Sequence, residues 1–122
     1  MTPSTAPTAR DVLAAAREIV AAPDAWNPRN RAVDAAGIPV HPADPAACAF
    51  STPGAIDAAV CRLFDTRDYA AQPAWNEALD AIDATVASLT DCYHRRLATY
   101  DRDSDRDAVL HALDIAISDL PR

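Results

Sequence analysis

The chain has 122 residues, of which 50% are hydrophobic by the broad count, 6% aromatic and 24% charged, with a formal net charge of −7 at pH 7. That length is one ordinary domain's worth and leaves no room for a second independent core. The negative balance argues against non-specific nucleic-acid binding, which depends on neutralising phosphates with cations, and no apolar run reaches the roughly 18 residues a membrane helix requires.

Residues 1–8 read as a short polar lead-in, expected to fray, without the cationic and apolar regions of a secretory signal. Thr8 with Asp11 is a hydroxyl cap followed three residues later by an acid. From there Val12, Leu13, Ala16, Ile19 and Val20 recur at helical spacing and predict a helix over 9–21, stopped by Pro23.

Residues 22–52 read as irregular. Pro23, Pro28, Pro39, Pro42 and Pro45 fall there, and a ring without an N–H does not belong inside a regular helix or a central strand. Arg31-Ala32-Val33 and Ile38-Pro39-Val40 flank Asp34-Ala35-Ala36-Gly37, an Asp-x-x-Gly turn suited to a small β-hairpin. Trp26, Val33, Ile38, Val40 and Phe50 predict that this excursion is ordered against the helices rather than loose.

Ser51-Thr52-Pro53, a hydroxyl cap with proline in the first turn, opens a helix over 53–65 whose buried stripe is Ile56, Ala59, Val60, Leu63 and Phe64. Gly54-Ala55 places small residues in its first turn and predicts close approach to another backbone, the hairpin being the expected neighbour. Pro73 starts a third helix, expected over 74–98, with Trp75, Ala78, Leu79, Ile82, Val86, Leu89, Tyr93 and Leu97 along one face, a stripe that Tyr100 continues. Ser104 with Asp107 repeats the cap-and-acid signature and opens a helix over 105–119, closed by Pro121. The expected fold is therefore mostly all-α: a small four-helix domain, 1–122 as one unit, with a proline-rich excursion that holds at most a short hairpin.

Few residues assemble a recognisable chemistry. The run from Asp101 to Asp107 resembles the opening of a calcium loop, but the sixth and twelfth positions are Arg106 and Ala112 instead of Gly and Glu, so calcium fails. His41, His94 and His111 have no metal-ligand spacing, and Cys48, Cys61 and Cys92 form no C-x-x-C pair, so neither a metal, a cofactor nor a disulfide framework is expected. That cysteine usage suits a reducing cytoplasm. His94-Arg95-Arg96 is a cationic cluster suited to pairing with Asp91, and Glu77, Asp80 and Asp83 form a solvated acidic stripe.

Two groups of candidates stand out. His41, Cys48 and Ser51 precede or start the second helix, where a nucleophile would gain from the helix dipole and a histidine could act as base. Against that, capping explains Ser51 fully. Trp26, Asn27, Arg29, Asn30 and Arg31 combine stacking area with forked donors, which is what a binding edge requires; the plainer reading has Trp26 plugging the bundle end and the amides bonding the turn.

Trp26, then Asp34-Ala35-Ala36-Gly37-Ile38-Pro39-Val40, Ser51-Thr52-Pro53-Gly54-Ala55-Ile56, Tyr100-Asp101 and Ala112-Leu113-Asp114-Ile115-Ala116-Ile117 resemble the pattern of a domain-of-unknown-function family of small bacterial and phage proteins. Where that family carries Cys before the Gly-Ala step this chain has Ser51, and its aromatic-Asn-Asp is reduced to Tyr100-Asp101. The resemblance implies no activity; it implies the company of phages and mobile elements. Together with the charge and the lack of an assembled catalytic set, it points to an acidic accessory protein that acts by binding a protein partner. The alternatives are a small hydrolase or transferase using Ser51 or Cys48, and a small-ligand sensing module.

Overall fold

The computed structural model describes residues 7–22, 24–27, 29–64, 71–90 and 106–120. The expected extension of the third helix to 98, the His94-Arg95-Arg96 cluster, Cys92, the Ser104 cap and the acidic run from Asp101 to Asp105 lie outside them, as do Pro23 and Pro28.

Among the described residues there are four helices and one two-stranded sheet: α1 (Ala9–Ala21), β1 (Ala32–Val33), β2 (Ala49–Phe50), α2 (Thr52–Leu63), α3 (Ala71–Thr90) and α4 (Arg106–Asp119). The mostly helical class read from the periodicity is the observed one. Both start signals fall where the cap chemistry puts them. Thr8 and Asp11 form a reciprocal capping box, and Ser51 caps α2 by accepting from Gly54 N at 3.2 Å.

Boundaries shift for local reasons. Helix α2 ends at Leu63 instead of 65, because Phe64 turns extended and folds back into the core at 8% exposure. Helix α3 starts at Ala71 instead of 74, which places Pro73 inside the first turn, where the backbone N–H has no intrahelical acceptor to lose.

Helix α1 is the hub, packed against all three other helices, while α2–α3 and α3–α4 also meet. Leu13, Ile56, Ile82, Leu113, Val20 and Val109 are fully buried at the centre. Between them run alanines (Ala16, Ala55, Ala59, Ala78 and Ala116, each 0% exposed), whose single methyl groups let the helices approach closely. At the end of α1, Arg106 Nη1 of α4 donates to Ala22 O at 3.4 Å, a cation at the negative end of the helix dipole.

The excursion is more regular than expected. The Asp34–Gly37 turn is present, with Gly37 N bonded to Asp34 O at 2.9 Å and Gly37 at φ 80°, a conformation glycine adopts without strain. The expected hairpin is reduced to one antiparallel bridge, Val33 to Pro39, with Val40 N on Ala32 O at 3.0 Å. The ladder proper joins β1 to β2, Ala32 opposite Phe50 and Val33 opposite Ala49. On the far side of β2, Phe50 N donates to Ala25 O at 2.7 Å and Asn27 N to Phe50 O at 2.9 Å. Four short extended pieces thus lie side by side, in the order 39–40, 32–33, 49–50, 25–27. Pro39 belongs to an outer piece, where proline discourages further strand pairing.

Candidate functional site

The excursion meets helix α2 at one point of very close contact. Gly54, in the first turn of α2, lies against the backbone of Arg31, so a Cβ there would stand 1.7 Å from Arg31 O. The small-residue reading of Gly54-Ala55 found its neighbour at the first arm of the turn. This contact sets Arg31 beside the next residues of α2. Three positions on from Gly54 is Asp57, the single acid in that helix. Arg31 Nη1 donates to Asp57 Oδ2 at 3.0 Å, and from α3 Trp75 Nε1 donates to Asp57 Oδ1 at 2.9 Å.

Asp57 therefore ties the excursion, α2 and α3 together. It lines a cleft of about 310 Å³ with Arg31, His41, Val60, Cys61 and Trp75. Its side chain is 17% exposed while that of Arg31 is 68% exposed. Burial pushes the Asp57 carboxyl above its ordinary value, and the nearby Arg31 charge, the Trp75 N–H and His41 offset that push only in part. One turn further along α2, the Cys61 thiol is also raised, by burial first and then by the Asp57 charge, which keeps it a thiol and a poor nucleophile.

The five residues expected at a binding edge divide. Trp26 is half-buried against the core and bridges Phe50. Asn27 Oδ1 accepts from the backbone N of both Arg29 and Asn30 at 3.0 Å, closing an Asx turn. Asn30 O accepts from Ser51 N at 3.2 Å, and the Arg29 side chain is exposed. Only Arg31 of the five reaches the cleft.

The three candidates for nucleophilic chemistry are not brought together. Ser51 is buried at 6% exposure with Oγ turned to the first turn of its own helix. Cys48 is an exposed free thiol lining a separate cavity of about 530 Å³ with Ile19, Phe50 and Arg62. His41 lines the Asp57 cleft, with Nδ1 accepting from Ala43 N at 3.0 Å. Among the described residues no group of three or more His, Cys, Asp or Glu is placed to hold a metal ion. No described helix is long and apolar enough to cross a membrane.

Sequence reasoning missed Asp57 and its bond to Trp75. The signal available was a lone acid among the apolar residues at the middle of α2, facing a tryptophan that periodicity assigned wholly to the core.

A family model described as a family of unknown function, DUF6197, matches residues 4–119. No curated protein and no solved structure matches the chain.

Proposed function

The chain belongs to the DUF6197 family over nearly its whole length, and from that premise we propose that it is a small acidic accessory protein which acts by docking on a protein partner, without catalysis. The observation that carries this reading is the build of the excursion. Asn27, Asp34, His41 and Asp44 each accept from backbone N–H groups of their own turns, so the segment is braced residue by residue without a helix or a long strand. A loop already ordered loses little further entropy on binding. At its tip Ile38 stands 58% exposed, an apolar side chain on a rigid, projecting turn. Such an anchor is what a buried interface centre requires.

Charge supports the choice of partner. At −7 the chain attracts basic surfaces at distances comparable to the screening length and repels nucleic acid. The cytoplasmic setting and the phage-like company inferred from the sequence make a host regulatory protein the expected target. The hydrolase alternative gains nothing from the arrangement, because Ser51 Oγ is a cap and Cys48 lines a different cavity from His41.

Photocrosslinking in cells of the source organism tests the proposal. A photoreactive residue at position 38 is expected to trap one discrete protein that the same group at Ser118, exposed on α4, does not trap. Excess unlabelled chain should compete, and excess Ile38→Asp chain should not. Identical crosslinking patterns from both positions would overturn the reading.

A further inference from the structure

The cleft around Asp57 has two poles of opposite charge in direct contact, Arg31 Nη1 lying 3.0 Å from Asp57 Oδ2, with apolar surface lining the same cleft. At one pole is the Asp57 carboxylate, which accepts from Trp75 Nε1 and Arg31 Nη1. A carboxylate offers about four lone-pair sites, and these two bonds occupy half of them. Its upward shift records a charge whose burial exceeds the compensation that Arg31, Trp75 and His41 supply. At the other pole, the Arg31 guanidinium carries five donors, one of which goes to Asp57. His41 adds a second donor: with Nδ1 accepting from Ala43 N, the neutral ring carries its proton on Nε2. Val60 and Trp75 supply apolar surface to the same cleft.

We infer that this cleft binds a small zwitterion, an α-amino acid with an apolar side chain, its ammonium group on Asp57, its carboxylate on Arg31 and His41, and its side chain against Val60 and Trp75. A simple anion drawn to Arg31 would sit beside the Asp57 charge, and a simple cation drawn to Asp57 would sit beside Arg31. A molecule carrying both charges about one carbon apart meets each pole with its opposite and brings no net charge into a half-buried site. Size agrees. A cleft of about 310 Å³ stands at the lower end of ligand pockets, roughly 300–1,000 Å³, which suits an amino acid better than a nucleotide. The inference is independent of the partner-docking reading, which rests on Ile38 at the tip of the turn.

The test uses the full chain and the indole N–H resonance of Trp75 in two-dimensional NMR, assigned with Trp26→Phe. The probes are L-leucine, L-valine and L-phenylalanine, each titrated to about 10 mM, with 3-methylbutan-1-amine and 4-methylpentanoate as leucine without its carboxylate and without its ammonium. At least one amino acid is expected to shift the Trp75 resonance saturably, and for leucine each truncated analogue should bind about tenfold more weakly or worse. Arg31→Ala, at an exposed side chain, and Asp57→Asn, which keeps an acceptor for Trp75, should each weaken binding by a similar factor. The inference is overturned if none of the three amino acids moves the resonance, if both truncated analogues bind as well as leucine, or if Arg31→Ala binds like the parent chain. Loss of the Ile38 crosslink would leave this result untouched, so the two readings fail separately.

Discussion

Gly54 and Arg31 touch backbone to backbone: a methyl group at position 54 would come within 1.7 Å of Arg31 O, 2.5 Å of its carbonyl carbon and 2.8 Å of its Cα. No rotamer relieves that overlap, so either α2 or the first arm of the turn has to move. Gly54→Ala is expected to destabilise the fold by about 1–3 kcal/mol, although the same change at an open helical position stabilises by about 1 kcal/mol. The sign is diagnostic and is read from urea or thermal unfolding. The Arg31–Asp57 pair should weaken in the same variant, since the two contacts are three residues apart on α2.

The centre of the bundle and the tip of the turn should respond in opposite ways to substitution. Leu13 is 0% exposed on the helix that touches all the others, so Leu13→Ala is expected to cost about 2–5 kcal/mol. Ile38 is 58% exposed, and Ile38→Asp is expected to change stability by about 0.5 kcal/mol or less. Denaturant midpoints check both. A large loss at Ile38 would mean that its side chain belongs to the fold and not to a partner surface.

The helices were legible because their signals are local. Thr8 with Asp11, and Ser51 ahead of Pro53, are complete start signals within a few residues, and Val12, Leu13, Ala16 and Val20 repeat at the period of the core face. The pairing of Ala32–Val33 with Ala49–Phe50 was not legible, because two-residue strands leave no alternation to read and their register is set by bonds across the fifteen residues between them, such as Cys48 N to Val33 O at 2.9 Å. The cleft was half legible. Arg31 and His41 were flagged for their chemistry, but Asp57 and Trp75 join them only through the packing of α2 against α3 and the Gly54 contact. Trp75 reads as core by its period, and its Nε1–H has no sequence signature.

Asp57 makes stability depend on pH with a definite sign. Its folded-state pKa is raised above the unfolded value, so the folded chain holds more protons between those two values. The contribution is fully present below the ordinary carboxylate pKa and is lost as pH rises through the raised one. Asp57→Asn mimics the protonated form at every pH. Relative to the parent chain this variant should gain stability as pH rises from about 3 to about 7 and level off once the parent carboxyl is ionised. Asp83, raised by burial and then by Asp80, acts in the same direction and is unaffected by the substitution, so the difference between the two unfolding curves isolates Asp57. A difference that stays flat with pH, or falls, would contradict the assigned direction.

Ser51 and Thr8 offer a comparison of caps in different surroundings. Both hydroxyls accept from a backbone N–H three residues on, Gly54 at 3.2 Å and Asp11 at 3.3 Å. Ser51 is buried, whereas the Thr8 bond is exposed to water that can replace it. Thr8→Ala should cost about 0.5–1 kcal/mol and Ser51→Ala about 1–2 kcal/mol, the larger value reflecting an N–H left without a partner in a dry place. Thr8→Ser should restore its helix. A serine-directed fluorophosphonate should label neither hydroxyl, because neither is paired with a general base that would activate it. Stoichiometric labelling at Ser51 would show that the cap opens and would return the nucleophile reading to consideration.

Trp75 and Asp57 should be energetically coupled, since the indole N–H compensates a half-buried charge. Trp75→Phe keeps most of the aromatic surface and deletes that donor. Two effects follow from one lost bond. Stability at neutral pH should fall by about 1–2 kcal/mol, and the Asp57 carboxyl should rise further, since a hydrogen bond to the charged form had been lowering it. In the Asp57→Asn background the acceptor is a neutral amide oxygen, and the same Trp75→Phe change should cost about half as much or less. A double-mutant cycle by denaturant unfolding at pH about 7 measures that difference, and repeating it at pH about 3 supplies the control. With Asp57 protonated in the parent chain the coupling should shrink toward zero. Coupling equal at both pH values would place the effect of Trp75 in ring packing and not in its bond to the carboxylate.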